Sequence, residues 1–294
     1  MMFVGPATIA LREGIEAALI IAIMLSYLKQ SNKMNLKRYV LGGTLVAVLV
    51  SVGFGTILGL IWGLFEGEAL TIFEGAVVLV AAILLTTMIV WMWNAGSGIA
   101  SEIEESMQER TGTRGAIGLA LLAFALILRE GVELVLFTIA LAVQDAAQTY
   151  IGVTIGLSIA IVMGLGIYHG SLKISLKDFF NWTSVFLVLF AAGMIAYGIH
   201  ELQEAGLLLI GAIEVWNINP PVLPDGSYPL FHDNGTIGGF AKALFGYNGN
   251  PSALEVAAYV SYLLIVSLYY MSRRNMKQEK RKSAAPAKEI GATA

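Results

Sequence analysis

The sequence predicts an all-α, polytopic membrane protein with seven transmembrane helices, and three observations carry that prediction. Hydrophobic residues make up 57% of the 294 positions and charged residues only 13%, with a mean hydropathy of +0.74, far from the balance of a water-soluble domain. Apolar stretches of about 20 residues, the length a helix needs to cross a hydrocarbon core, recur along the chain. Basic residues gather in alternate loops, as they do when every second loop faces the cytoplasm.

The first segment, about 4–28, opens as MMFVGPATIALREG, lacks a basic leader or a small-residue cleavage site, and reads as a retained helix. The second, 38–64, carries glycines at 55, 59 and 63, a small-xxx-small spacing suited to helix packing. The third, 70–93, begins near FEG (73–75) and ends at Trp91 and Trp93, rings that favour the headgroup layer. The fourth and fifth, 116–143 and 147–168, are separated by a short polar step, and the fifth is glycine-rich like the second. The sixth, 179–200, leads into ELQEAGLLLIGAIEVW (201–216), which is too short to span and reads as a continuation or a half-buried helix. Pro220, Pro221, Pro224 and Pro229 argue against a helix over 217–230, so 217–250 is an outer loop. The last helix, 252–271, ends in RRNMKQEKRK, an anchor for anionic lipid, with residues 272–294 expected to form a disordered cytoplasmic tail. The transport unit is thus expected within 1–271.

Orientation follows from charge. Lys29, Lys33, Lys37, Arg38, Arg110, Arg114, Lys173, Lys177 and the basic tail through Lys288 fall on one side, and Lys242 stands on the other. The N-terminus is therefore expected outside and the C-terminus inside. The net charge of -3 gives no field that would attract nucleic acid. Cysteine is absent, which excludes disulfides, thiolate metal sites and cysteine nucleophiles and leaves oxygen or imidazole to hold any metal. No G-x-x-x-x-G-K-[ST] loop is present for nucleotide binding.

Within the oily segments one motif occurs twice, as LREGIEAALIIAI at 11–23 and LREGVELVLFTIA at 128–140. Three crossings separate the copies, so the second runs in the opposite direction: an inverted 3+3 repeat, about 4–93 and 116–200, which commonly places a substrate site between its halves. On a helix Arg12, Glu13 and Glu16 share one 100° arc, as do Arg129, Glu130 and Glu133. At 1.5 Å per residue the glutamates of both copies lie about 13–20 Å below the outer end, so they meet at one depth. Gly14 and Gly131 are expected to let the two motif helices approach closely. Each charged residue there costs roughly 2.5–3.5 kcal/mol to insert. The i,i+4 pairs Arg12/Glu16 and Arg129/Glu133 offset part of that, and Glu13 and Glu130 remain as surplus negative charge unless protonated, a charge that a hard cation such as Fe(III), Mg(II) or Mn(II) would neutralise. The plainer alternative is a structural ion-pair network pinning the helices, and both roles are compatible.

The residues REGIE and REGVE resemble the paired Arg-Glu-Gly-x-Glu motifs of the oxidase-dependent iron permease family, which includes fungal high-affinity and bacterial Efe-type permeases. FEG at 73–75 and HELQEAG at 200–206 extend the resemblance over most of the chain. It implies a cell-membrane permease that carries iron inward, with Glu13, Glu16, Glu130 and Glu133 taking part in translocation and Arg12 and Arg129 balancing their charge. It also implies a separate ferroxidase or iron-delivery protein on the outer side. The chain has no cysteine and only His169, His200 and His232, so no copper or haem site is evident, iron is cargo, and no permanently bound cofactor is expected.

Glu74, His200, Glu201 and Glu204 are candidate accessory metal or pathway residues. Against this, Glu74 could simply reach headgroup water. Glu102, Glu104, Glu105 and Glu109 read as a solvated helix face, and Asp225, His232 and Asp233 as ordinary loop polarity. A homo-oligomer is left open. A carrier for another divalent metal or for protons would use the same carboxylates. A membrane di-iron enzyme would require Glu-x-x-His units that the sequence lacks.

Overall fold

The computed structural model describes residues 3–95, 103–108, 115–168 and 176–284. Arg110, Arg114, His169, Lys173, Glu102, Glu109, Lys288 and the rest of the tail from 285 lie outside them. The helices are α1 (Val4–Gln30), α2 (Lys37–Trp62), α3 (Gly67–Ala95), α4 (Gly115–Tyr168), α5 (Leu176–Glu204), α6 (Thr236–Phe245) and α7 (Ala253–Ala284). Residues 103–108 form a further helical stretch. Among the described residues the β-structure amounts to an isolated bridge between Glu214 and Ser252.

Among the described residues five helices are long and apolar enough to cross a membrane: Met34–Trp62, Gly67–Trp93, Gly115–Tyr168, Trp182–Glu204 and Ala253–Met276. The sequence counts seven, and two features account for the difference. α1 is 27 residues long but carries Arg12, Glu13 and Glu16 in its middle. The fourth and fifth segments form one 54-residue element with a non-helical residue, Asp145, at φ -159° and ψ 97°.

That element is a hairpin of two helical arms. Ligand atoms of Glu13 and Glu130 lie within 4.8 Å of one another, while the adjacent Gly14 packs against Ala160. In a straight helix positions 130 and 160 would be about 45 Å apart, so the chain must double back midway, at Asp145. The Asp145 side chain begins the second arm by accepting from the Gln148 N–H (3.0 Å), a helix cap.

The arms seat the N-terminal helices reciprocally. α1 runs parallel to the second arm, with Gly152 against Phe3 and Pro6, Gly156 against Ala7 and Ala10, and Gly164 against Ala18. α2 runs parallel to the first arm, with Gly43 against Ala120 and Gly55 against Val135. α3 and α5 cross in opposite senses, Gly75 facing Glu201 and Leu202 while Gly198 faces Leu79. The packing stripe on α2 is thus Gly43, Ala47, Ser51 and Gly55. Gly59 meets no neighbour and Gly63 only its own helix, so the expected stripe at 55, 59 and 63 is displaced by two to three turns.

One apolar core joins α1, α3, α4 and α5 through Ile9, Val78, Leu85, Phe137, Phe190 and Met194. A second joins α1, α2, residues 103–108 and α4 through Met24, Leu28, Val40, Ala47, Met107 and Leu119. Leu45, Leu49, Leu60, Ile161, Val162 and Leu165 are exposed, an apolar belt that suits lipid far better than water.

α5 ends at Glu204, where Gly206 adopts φ 73° and the Leu207 N–H reaches back to the Leu202 carbonyl (3.0 Å). This is a Schellman stop, so 207–216 is irregular chain and neither continues the helix nor forms a half-buried one. The four prolines do lie outside any helix, but the segment 217–250, expected as an outer loop, contains the short helix α6, which the sequence reading missed. α7 continues beyond the apolar segment to Ala284. Residues 272–284, expected within the tail, are thus part of α7, in keeping with their Met, Gln, Glu, Lys and Arg content. α7 is tied to α3 by Thr86 and Tyr262 (2.9 Å) and by Arg273 Nη1 donating to the Trp93 carbonyl (2.8 Å).

Candidate metal centre

The two motifs meet in the middle of the bundle. One carboxylate oxygen from each of Glu13, Glu130 and Glu133 lies within 4.8 Å of the others. The fourth glutamate, Glu16, sits one turn along α1, held by Arg12 Nη2 at 3.0 Å. That ion contact is out of line for a hydrogen bond, because Glu16 Oε1 has no hydrogen-bond partner. Glu13 Oε2, Glu130 Oε2 and Glu133 Oε2 are likewise buried without one. Glu13, Glu130 and Glu133 thus each present an oxygen with no hydrogen-bond partner in the protein, a state that costs roughly 1–3 kcal/mol per group and more for a charge, while Glu16 Oε1 is met by the Arg12 ion contact alone.

The geometry arises differently from the expectation. Gly14 and Gly131 do not face one another. A Cβ on Gly14 would collide with Ala160, and one on Gly131 with the Ser51 hydroxyl. The glycines face outward, onto the second arm and α2, and the glutamates are turned inward as a result.

The arginines stand in unlike surroundings. Arg12 is fully buried. Its Nη1 lies 3.3 Å from Glu13 Oε1 and 2.9 Å from Met88 Sδ, and its Nη2 touches Met92 Sδ. Arg129 is 45% exposed; its Nε donates to Glu133 Oε1 at 3.0 Å and lies 4.0 Å from Glu130 Oε1. Its guanidinium lies over the Trp91 ring, 4.9 Å from the centroid. Two guanidiniums stand against four carboxylates, an imbalance that protons or a cation bound among the oxygens would offset.

The accessory residues lie apart from this cluster, at the end of the bundle toward which the α1 N-terminus points. Glu74 Oε1 accepts from Trp62 Nε1 (3.0 Å), and Gly75 rests on the Glu201 side chain, so FEG and HELQEAG pack together. His200 Nδ1 lies 3.2 Å from Glu255 Oε1, and its Nε2 is 3.9 Å from Glu204. His200, Glu201, Glu255, Asp233 and Lys242 line a cavity of about 140 Å³. The structure does not bring Glu74, His200, Glu201 and Glu204 into a set as close as the central one.

Glu255 is the residue the sequence reading missed. It is 2% exposed; its Oε2 accepts from Asn248 Nδ2 (2.7 Å) and its Oε1 from the Ser252 N–H (3.3 Å), while Ser252 Oγ accepts from the Glu255 N–H (3.2 Å). The signal was the S-x-x-E of a capping box at the start of α7. Met88, Met92 and Ser51 carried no signal, since each reads as ordinary core.

The loop residues have local partners. Asp233 is held by Asn219 Nδ2 (3.0 Å) and the Gly249 N–H (2.8 Å). The Ser227 hydroxyl and N–H donate to Asp225 and hold its carboxyl below the usual carboxylate range. His232 Nδ1 accepts from the Asn234 N–H (3.1 Å).

The family model described as the iron permease FTR1 family matches residues 3–278. The chain is 33% identical over 278 residues to a protein of Yersinia pestis named ferrous iron permease EfeU, covering 93% of this chain and 95% of that one. It is 33% identical over 266 residues to the protein of the same name from Escherichia coli O157:H7, covering 90% and 93%. An uncharacterized protein of Archaeoglobus fulgidus is 33% identical over 270 residues, covering 90% and 92%. No solved structure matches the chain.

Proposed function

The chain belongs to the iron permease FTR1 family, and from that premise we propose that it carries iron into the cell through the cluster of Glu13, Glu16, Glu130 and Glu133. It is a membrane transporter and not an enzyme. One observation carries the site assignment: four carboxylates from two helices, each with a buried oxygen that lacks a hydrogen-bond partner.

The membrane arrangement proposed is seven crossings of the plasma membrane, by α1, α2, α3, both arms of α4, α5 and α7. The basic loops argue for an outside N-terminus and an inside C-terminus. The reciprocal seating of α1 on the second arm and α2 on the first supports an inverted repeat, since each half lends its second helix to the first helix of the other.

The ion at the cluster is proposed to be Fe(III), a hard cation suited to oxygen donors. The relatives' name speaks of ferrous iron. A separate ferroxidase on the outer side, oxidising Fe(II) before it reaches the cluster, reconciles that name with the donor set. Glu74, His200, Glu201 and Glu204 then attract cations in the outer vestibule. A membrane potential of 100 mV adds about 2.3 kcal/mol per charge to inward movement.

The test is iron uptake by cells expressing Glu13→Gln and Glu130→Gln, with membrane levels measured alongside. Loss of uptake at normal levels is expected. Unchanged uptake in both variants overturns the site assignment, and uptake of a competing divalent metal in preference to iron points to the broader carrier.

A further inference from the structure

We infer that Ile9, Phe137 and Phe190 form an apolar gate between the outer cavity and the carboxylate cluster, and that the gate is closed in this structure. The inference rests on the cluster being the ion site and assigns the barrier that an ion must pass to reach it.

The cavity lined by His200, Glu201 and Glu255 has Phe190 and Met194 in its wall. A second, smaller cavity shares Phe190 and Gln144 with it and is lined further by Pro6, Gln148 and Thr149. The two cavities thus reach from the loops to the first turn of α1 at Pro6, and none of the four cluster glutamates lines either one. The cluster begins beyond that point, and apolar side chains fill the interval. Ile9 lies one turn before Glu13 on the same face of α1, and Phe137 one turn after Glu133 on the same face of α4. Ile9 is 1% exposed and Phe137 0%, and both share one core with Phe190, Leu141 and Met194.

The arginines flanking the cluster differ in accessibility. α1 and the first arm run in opposite directions, so Arg12 and Arg129 flank the glutamates from opposite ends. The arginine on the gate side is wholly buried and the other is 45% exposed. A dry constriction is a sufficient barrier, because a hydrated multivalent ion cannot shed its water among aliphatic and aromatic carbons. The ion enters the cluster only when the layer parts, and this structure is the state shut toward the loops.

The absence of cysteine makes a direct test practical. Glu133→Cys places a reporter thiol below the gate and Gln144→Cys one above it. Sealed right-side-out vesicles are treated from outside with a cationic, membrane-impermeant methanethiosulfonate. Gln144→Cys is expected to react whatever the gate residues are. Glu133→Cys is expected to stay protected with Phe137 or Phe137→Leu in place, and to react at least tenfold faster with Phe137→Ala. Should Phe137→Ala fail to reach the membrane, Ile9→Ala serves as the opening variant. Rapid outside labelling of Glu133→Cys with the native gate overturns the inference, as does continued protection in the opening variants. Iron uptake is read separately: normal uptake by Glu13→Gln would sink the ion-site reading while leaving the labelling pattern to stand or fall alone.

Discussion

Arg12 and Arg129 hold the same place in two copies of one motif, yet Arg12 is sealed between Met88 and Met92 while Arg129 lies half-exposed over Trp91. Removing each should therefore have unequal consequences. Arg12→Ala strands Glu13 and Glu16 in a dry interior, and breaking a buried pair in this way costs about 3–5 kcal/mol. Arg129→Ala also leaves Glu130 and Glu133 without their partner, but it removes a guanidinium that is 45% exposed, so its loss is expected to be the smaller. Thermal unfolding in detergent should show a much larger fall in Tm for Arg12→Ala; equal falls would contradict the difference in burial.

The motif and stripe glycines should divide by what lies opposite them. A Cβ at position 156 would fall on the Ala7 carbonyl oxygen, whereas position 59 meets no neighbour within 4 Å. Gly156→Ala should cost about 1–3 kcal/mol through overpacking, and Gly59→Ala should be neutral or stabilising by up to about 1 kcal/mol. Gly131→Ala should be damaging and Ser51→Gly should relieve it, because the Ser51 hydroxyl is the atom in the way. Membrane levels and melting of the double variant provide the measurement.

Ser252 and Glu255 hold each other through reciprocal bonds at the start of α7. Ser252→Ala should cost about 1 kcal/mol. Each bond joins one side chain to the other residue's backbone N–H, so Glu255→Ala leaves the Ser252 cap in place and the two losses should add to within about 0.5 kcal/mol. An unchanged Tm in Ser252→Ala would show that the cap contributes nothing.

The donor set predicts which ions compete. Ga(III), hard, trivalent and inert to reduction, should inhibit iron uptake when added in equal amount, while Zn(II), which favours imidazole and thiolate, should inhibit weakly. Radioactive iron uptake with each competitor checks this, and dominant inhibition by Zn(II) would argue against delivery of Fe(III) to four carboxylates.

Much of the architecture was legible in the sequence because membrane helices announce themselves by length and hydrophobicity. The bounds of α1 to α5 came within a few residues, and the break at Asp145 fell between the expected fourth and fifth segments. The convergence of Glu13 with Glu130 and Glu133 was legible because the motif repeats at matching depth. What could not be read was which surfaces pair. Gly14 offers the same sequence signal whether it faces Gly131 or Ala160, and only the doubling back of α4 decides. Glu255 was overlooked because its importance comes from His200 and Asn248, brought to it by a loop whose conformation no periodicity encodes. The helix through 272–284 was missed because a basic stretch reads as solvated tail, although the same residues are good helix formers.

The reciprocal seating of α1 has a consequence for how the chain is made. Gly14 rests on Ala160, so the first helix leaves the ribosome roughly 150 residues before its seat exists, a wait of about ten to thirty seconds at ordinary synthesis speed. Throughout that interval an arginine and two glutamates must be kept out of bare hydrocarbon by the insertion machinery or by neighbouring helices already delivered. Biogenesis of this permease is thus a problem of timing as well as of hydrophobicity.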